Sequence, residues 1–294
     1  MKLKKKLWDA LFTWTGKTVG WLNEPFEKVD PFVIEKEVQT YFKVAVSSAK
    51  KLPDSNVPQL LRARVEDFKL TMPVVNDLRT KDLRPRHWAK IHELIGYEID
   101  GVEGFTCGLL IEKRIMDHAD KINEIALEAI NEAILEEMLV NVTQMWRREE
   151  FEVLVYKDQK GIFVLGAVAE VMQKMDDSLV TLGTIMGSRY VAAIRERVED
   201  YQKKLVLLQE TLEEWLVCQR NWMYLENIFA APDIQRQLPA ETGKFEKVDK
   251  SWKGIMRVVN TNPNCIATGT HKGRKELFAK HNATLDEIQK KLEE

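Results

Sequence analysis

Cysteine is nearly absent from this sequence. The 3 residues present, Cys107, Cys218 and Cys265, lie far apart and are odd in number. No CxxC pair or zinc-type spacing exists, which argues against a disulfide framework and predicts free thiols in a reducing compartment. A basic excess is also missing: 44 basic side chains face 46 acidic ones, a formal net charge of −2. A general nucleic-acid binder would carry a positive surplus. No stretch approaches about eighteen uninterrupted apolar residues, so no membrane-spanning helix is expected.

Two further absences concern the N-terminus. The opening "MKLKKKLWDALFTWTGKTVGWL" has the lysines and apolar residues of a secretory signal. It lacks a clean apolar run, which Asp9 interrupts, and a small-residue cleavage site. A basic amphipathic helix on a membrane surface is one alternative for residues 1–14. The plainer expectation is a helix whose Trp8 and Trp14 pack on the rest. Within this stretch, Gly16-Lys17-Thr18 matches the end of a P-loop. That loop needs a glycine five residues before the Gly-Lys, after a buried strand, so that backbone N–H groups wrap the phosphates. Leu11 stands in the glycine's place, and Leu7, Trp8, Leu11 and Phe12 recur with helical spacing. No nucleotide binding is expected there.

What the chain does have is bulk and helical periodicity. Its 294 residues are 45% hydrophobic and 31% charged, enough for a sizeable core in one long or two ordinary domains. Asp30-Pro31 reads as an N-cap with proline at the first helical position, opening a helix to Lys51. Val33, Val38, Tyr41, Phe42 and Val46 fall on its neighbouring turns. Helices follow from Gln59 to about Leu70, through Leu78, and from Arg84-Pro85 to Gly96, before a loop at Tyr97–Phe105. The longest helical signal runs from about Asp117 to Arg148. It carries one stripe of Ala119, Ile122, Ala126, Ala129 and Ala133, and a second of Ile130, Ile134, Met138 and Val142.

Period-2 alternation replaces this pattern only at Phe151–Gly166, a hairpin signal around Lys157–Gly161. A lone hairpin is marginal in water, so it must lie against helices. Helix resumes after Gly166, breaks around Gly183–Gly187, and runs again from about Tyr190 to Phe229. A further helix through Val259, a loop at Asn260–Thr270 and a final helix complete the chain. "FEKVD" occurs at Phe26–Asp30 and at Phe245–Asp249, the first copy ahead of a helix and the second within one; five residues do not make a repeat. The expected fold is mainly α, an elongated multi-helix bundle rod with one small β-hairpin. Residues 1–150 form its N-terminal helical part, and residues 151–294 the hairpin and C-terminal helical part.

Residues for chemistry are sparse. None of the five histidines pairs at i, i+4 or joins glutamates on a helix at metal-ligand spacing. His87, in "RHW", is a ligand or base on one reading and a core histidine bonded to backbone on the plainer one. No basic partner is nominated for Cys107 or Cys218. Asp176-Asp177 diverge by about 100° on a helix, and "GTHKGRKE" (Gly269–Glu276) lacks P-loop spacing. No catalytic, cofactor-binding or metal residues are assigned.

The 8 tryptophans are spread along the chain instead. In "LQETLEEWLVCQRNWMYLENIF", Leu205, Leu208, Leu212, Trp215, Gln219, Trp222, Glu226 and Phe229 step by three and four residues. This is a heptad seam with two polar members, and seams of this kind are usually core.

Here a resemblance enters. "CQRNWMYLENIF…PDIQRQLPAETGKFEKVDKSWKGIM" (Cys218–Met256) is similar to the linker region of dynein heavy chains, more the axonemal than the cytoplasmic branch. The same holds for "LRPRHWAKIHELIG" (Leu83–Gly96), "FTCGLLIEKRIMDHADKINEIALEA" (Phe105–Ala129), "IFVLG" and "MDDSLVTLGTIMGSRYV" (Met175–Val191). Even the opening helix aligns, though other members carry no Gly-Lys-Thr there. The motif residues that carry the match are Arg86, His87, Trp88, Trp215, Gln219, Trp222, Tyr224, Leu225, Glu226, Phe229 and Trp252. The resemblance implies a helical lever that bends and straightens over a ring of six AAA+ modules, driving ATP-dependent movement on microtubules. It also implies a site in the axoneme of cilia and flagella, within the cytoplasmic cytoskeleton.

The family's ATP sites and microtubule-binding stalk lie further along the heavy chain, so this chain is expected to be mechanical and not an enzyme by itself. The implied partners are the AAA+ ring of its own heavy chain and other dynein subunits, with no nucleic acid, membrane or cofactor. A hinge is expected at Gly183 and Gly187. Two departures stand out: Tyr201 sits where relatives have tryptophan, and Gly16 and Gly20 weaken the opening helix by roughly 1 kcal/mol each. The alternative function is a helical scaffold that takes a partner helix into an aromatic groove at Trp215–Phe229.

Overall fold

The computed structural model describes residues 2–293, which are mainly α-helical with one two-stranded antiparallel sheet. They divide into two compact units, Met1–Ala133 and Ile134–Glu294. The units meet within one helix, whereas the division drawn at 150/151 follows helix and hairpin. No helix among the described residues is long and apolar enough to cross a membrane.

The first unit begins with α1 (Lys2–Asn23). Leu7, Leu11 and Trp14 form its inward stripe. The helix continues through Gly16-Lys17-Thr18, so this tripeptide is no phosphate-wrapping loop. Lys17 Nζ instead meets Glu37 Oε2 at 2.6 Å, and the Thr18 hydroxyl donates to the Trp14 carbonyl at 3.1 Å. Trp14 is buried as expected, but Trp8 is 56% exposed, because it lies about 60–120° round the helix from the members of the Leu7–Leu11–Trp14 stripe, at its margin.

Asp30 caps α2 (Pro31–Lys51), its carboxylate accepting from Phe32 N–H at 3.0 Å and Val33 N–H at 3.3 Å. The inward stripe of α2 runs through Ile34, Val38, Ala45 and Ser48. Of the five residues noted on its neighbouring turns, Val33, Val38, Tyr41, Phe42 and Val46, only Val38 is fully buried, and Val33 lies in solvent. Then come α3 (Val57–Lys69), α4 (Met72–Leu78) and α5 (Pro85–Ile95), which Gly96 ends with φ 82°. A left-handed residue at a helix end is a position that glycine occupies without strain. The short α6 (Cys107–Glu112) lies so close to α1 that a Cβ on Gly108 would sit 2.9 Å from the Leu22 carbonyl oxygen.

Helix α7 (Ala119–Arg148) leads from the first unit into the second. Its buried residues are Ile122, Ala126, Ala129, Glu132, Leu135, Leu139, Val142 and Trp146, one stripe at three- and four-residue steps. Of the second stripe expected beside it only Val142 is buried: Ile134 is exposed, and Ile130 and Met138 are half-buried.

The second unit adds β1 (Val153–Val155) and β2 (Phe163–Leu165), with Val153 opposite Leu165 and Val155 opposite Phe163. Next is α8 (Ala169–Met186), which includes Gly183, so the break expected around Gly183–Gly187 falls at its Gly187 end. The chain leaves helical conformation only at Gly187–Ile194, where Val191 and Ile194 are buried anchors. Glycine costs a helix interior about 1 kcal/mol, which neighbouring packing readily outweighs.

Helix α9 (Arg195–Phe229) has 35 residues against 30 for α7, so the longest helix is this one and not the Asp117–Arg148 segment. After it come α10 (Pro232–Gln237), α11 (Pro239–Thr261), α12 (Cys265–Gly269) and α13 (Arg274–Glu293). Helix α12 occupies the segment expected as loop. Its Gly269 meets α9 so closely that a Cβ would fall 2.1 Å from Leu208 Cδ1. Asn264 begins α12 by accepting from Ala267 N–H at 2.9 Å, and its amide donates to Arg147 and Glu149 carbonyls at the end of α7.

Candidate functional site

Most of the motif residues fall into two networks, one in each unit. In the first, His87 is fully buried on α5. Its Nδ1 accepts from the Arg84 backbone N–H at 3.0 Å and so caps the helix. Its Nε2 lies 3.0 Å from Glu132 Oε2, which Arg86 also binds through Nε at 3.1 Å and through Nη2. Lys90 Nζ pairs with neighbouring Glu128 at 2.7 Å. Glu132 stands on the inward stripe of α7 where an apolar residue would be expected, and its charge there is compensated by Arg86 and His87. Burial pushes the His87 pKa down, with Glu132 opposing. Trp88 is half-buried, its ring 5.8 Å from that of His92.

His87, Glu128 and Glu132 together offer atoms within 4.8 Å of one another, a spacing that could hold a cation. Sequence spacing missed this group because its members come from two helices. The ring's tautomer argues against ligation. With the Nδ1 lone pair taken by Arg84 N–H, a neutral imidazole carries its proton on Nε2. Nε2 then carries its proton 3.0 Å from Glu132 without hydrogen-bond alignment, and with the Arg86–Glu132 pair beside it the contact locks α5 to α7.

In the second unit the heptad seam is interior. Trp215, Trp222 and Phe229 are buried on α9, as are Leu225 beside them and Trp252 on α11. The rings form a connected path: Phe151–Trp215 at 5.5 Å, Trp215–Phe278 at 5.1 Å, Phe278–Trp252 at 6.2 Å, Trp252–Trp222 at 5.3 Å and Trp222–Tyr156 at 5.0 Å. Trp222 Nε1 donates to Asp249 Oδ1 at 3.0 Å. The groove needed for a partner helix at Trp215–Phe229 is therefore filled by this protein's own α11, α13 and hairpin. Tyr224 points outward at 57% exposure.

The two polar members of the seam hold the hairpin. Gln219 Oε1 accepts from Leu165 N–H at 2.7 Å while its Nε2 donates to Leu165 C=O at 2.9 Å. Glu226 Oε2 accepts from Tyr156 Oη at 3.2 Å and from Lys157 Nζ at 2.7 Å. An unpaired buried amide costs about 1–3 kcal/mol, and here both its ends are engaged.

The other candidates sit apart from both networks. Cys107, Cys218 and Cys265 are free and buried, as the spacing predicts. Burial pushes their thiols up to about 11, about 12 and about 12, far from the range of a reactive thiolate. Asp176 and Asp177 are exposed on α8. In Gly269–Glu276, Lys275 pairs with Glu210 at 2.8 Å, and Arg274 lies buried over the Trp215 ring.

The whole chain, residues 1–294, matches the model of the family described as dynein heavy chain, N-terminal region 2. The protein belongs to that family. It is 42% identical to dynein axonemal heavy chain 6 of Homo sapiens over all 294 of its residues, and those cover 7% of the human protein. It is 34% identical to dynein axonemal heavy chain 2 of Homo sapiens over 292 residues, 98% of this chain and 7% of that one. Dynein-1-beta heavy chain of the flagellar inner arm I1 complex, from Chlamydomonas reinhardtii, is 29% identical over 290 residues, 98% of this chain and 6% of its own length. The chain thus spans about a fifteenth of the length of these relatives. Its axonemal relatives place it with the dyneins of cilia and flagella.

Proposed function

We propose that this chain is a mechanical linker of a dynein heavy chain, a lever that bends and straightens over the AAA+ ring and passes ATP-driven change into movement along microtubules. The family match makes it dynein. The observation that carries the mechanical reading is the second unit's interior, where stacked rings and two polar clamps join the longest helix to its neighbours and the hairpin. Stiffness is what a lever needs, and aromatic stacking at these distances supplies it. The buried, protonated thiols and the ion-paired Lys17 fit a chain whose chemistry resides elsewhere in the heavy chain, and the ring of that heavy chain is its expected partner.

The flexing point belongs at the Gly187–Ile194 connection, not at Gly183, which lies inside α8. Hydrogen exchange should be faster at residues 187–194 than in α8 and α9; uniform protection would move the hinge elsewhere. The decisive experiment places Trp222→Ala in a complete motor. ATP hydrolysis should persist while the work per cycle falls, because a softened lever dissipates the stroke. Unchanged work would reject the lever reading.

A further inference from the structure

The outward face of α1 is apolar where an outer helix face should be polar. Phe12 is 83% exposed, Trp8 56% and Val19 53%. At roughly 100° per residue these three fall within about 40° of one another. They form a line about a third of a turn round the helix from the stripe of Leu7, Leu11 and Trp14. Gly16 and Gly20 flank that line, and a Cβ at either would meet nothing within 4 Å. Another backbone can approach closely there.

Charge specifies what covers this line. Lys4, Lys5 and Lys6 are exposed and form no ion pair among the described residues, and the first turn of α1 holds no acidic residue. Exposed cations without an ion-pair partner attract an acidic neighbour. We propose that the Trp8–Phe12–Val19 face docks an amphipathic helix of a partner protein, one whose apolar seam ends in a cluster of acidic residues set against Lys4–Lys6. A protein helix fits better than a membrane. The helix has already committed its wide apolar side to the core, and the narrow line that remains, with Asp9 beside it, matches one helical seam and not an interfacial face. This goes beyond the lever function, which assigns no role to the outer face of α1.

The probe is a synthetic amphipathic peptide of three heptads with a leucine seam and glutamates clustered at one end, against a control with lysines in place of those glutamates. The acid-ended peptide should bind saturably and the control about tenfold more weakly, with the difference shrinking as salt is raised. Phe12→Ser should weaken binding about tenfold and leave the melting midpoint unchanged, since the ring is in solvent. Reversing the lysines (K4E, K5E, K6E) should turn the preference toward the lysine-ended peptide. Equal binding of the two peptides, no saturable binding of either, or capture by phosphatidylserine vesicles in preference to the acid-ended peptide would each overturn the proposal. So would a Phe12-dependent dimer of the chain alone.

Discussion

The two units solve the same problem, holding long helices together, with different chemistry. In the first, aromatic contacts form islands. Trp14, Trp21, Tyr41 and Phe68 cluster near α1, and Phe26 with Phe105 stands as a separate pair. Helix α7 is tied to α5 by a histidine, two carboxylates and two solvent-reaching cations. In the second unit a longer ring path runs from Phe151 to Tyr156 beside the separate stacked pair Phe229–Phe245. Gln219 and Glu226 hold the hairpin, and ion pairs such as Lys275–Glu210 lie between helices. Stacked rings remove large apolar area from water and restrict sliding, while half-exposed ion pairs contribute little net energy and depend on salt. The second unit should therefore be the stiffer one, while a buried histidine with a lowered pKa gives each unit its own response to pH.

The largest expected effect is that of Trp222→Ala, which removes the ring between Trp252 and Tyr156 and takes the indole donor from Asp249 Oδ1. Truncating a buried tryptophan costs about 3–5 kcal/mol, a large share of a typical domain's roughly 5–15 kcal/mol. Calorimetry should show a much lower midpoint, and an unshifted one would mean that the ring path does not carry the unit. Gln219→Leu comes next. It keeps the volume but leaves Leu165 N–H and C=O without partners, at about 1–3 kcal/mol. Amide exchange at Val164–Gly166 should accelerate while α9 stays protected.

A smaller effect sharpens the comparison by pH. Burial lowers the pKa of both His87 and His281, with Glu132 opposing at His87 and Lys280 adding to the lowering at His281. A base whose folded pKa is depressed binds protons more readily when unfolded. Stability should thus be flat above about pH 7 and decline as pH falls through the ordinary histidine value of about 6.5 toward the lowered ones. His281→Gln should remove more of that slope than His87→Gln in thermal melts from pH 7.5 to 5.5; the reverse order would show Glu132 to be a weak opponent. The smallest effect is that of Lys90→Ala, whose pair with Glu128 is half-exposed and worth about 0–1 kcal/mol. The loss should vanish at high salt.

Sequence periodicity identified most helices, the hairpin and the buried seam, because each is a local pattern. The seam's polar members, Gln219 and Glu226, were visible as exceptions, but their partners Leu165, Tyr156 and Lys157 were not, since nothing local joins positions more than fifty residues apart. The His87–Glu132 lock was hidden for the same reason. Trp8 and Ile134 were misjudged because an apolar residue at helical spacing does not reveal which of two stripes has a neighbour. Gly183 misled because a breaker's propensity is small beside tertiary packing. The family motifs reached further than the physics of any one helix, and they identified Arg86, His87 and Trp88 without indicating what those side chains touch.

One consequence of the Gln219 clamp remains. Successive residues of a strand turn their backbone groups to opposite edges, and Leu165 turns its N–H and C=O away from β1, toward α9. The amide of Gln219 meets both, as a third strand one residue long would. Sliding β2 by a single residue would bring Val164 or Gly166 to that place, with their N–H and C=O directed at β1 instead. Short strands are prone to such misalignment. A side chain on the longest helix thus sets the register of the hairpin.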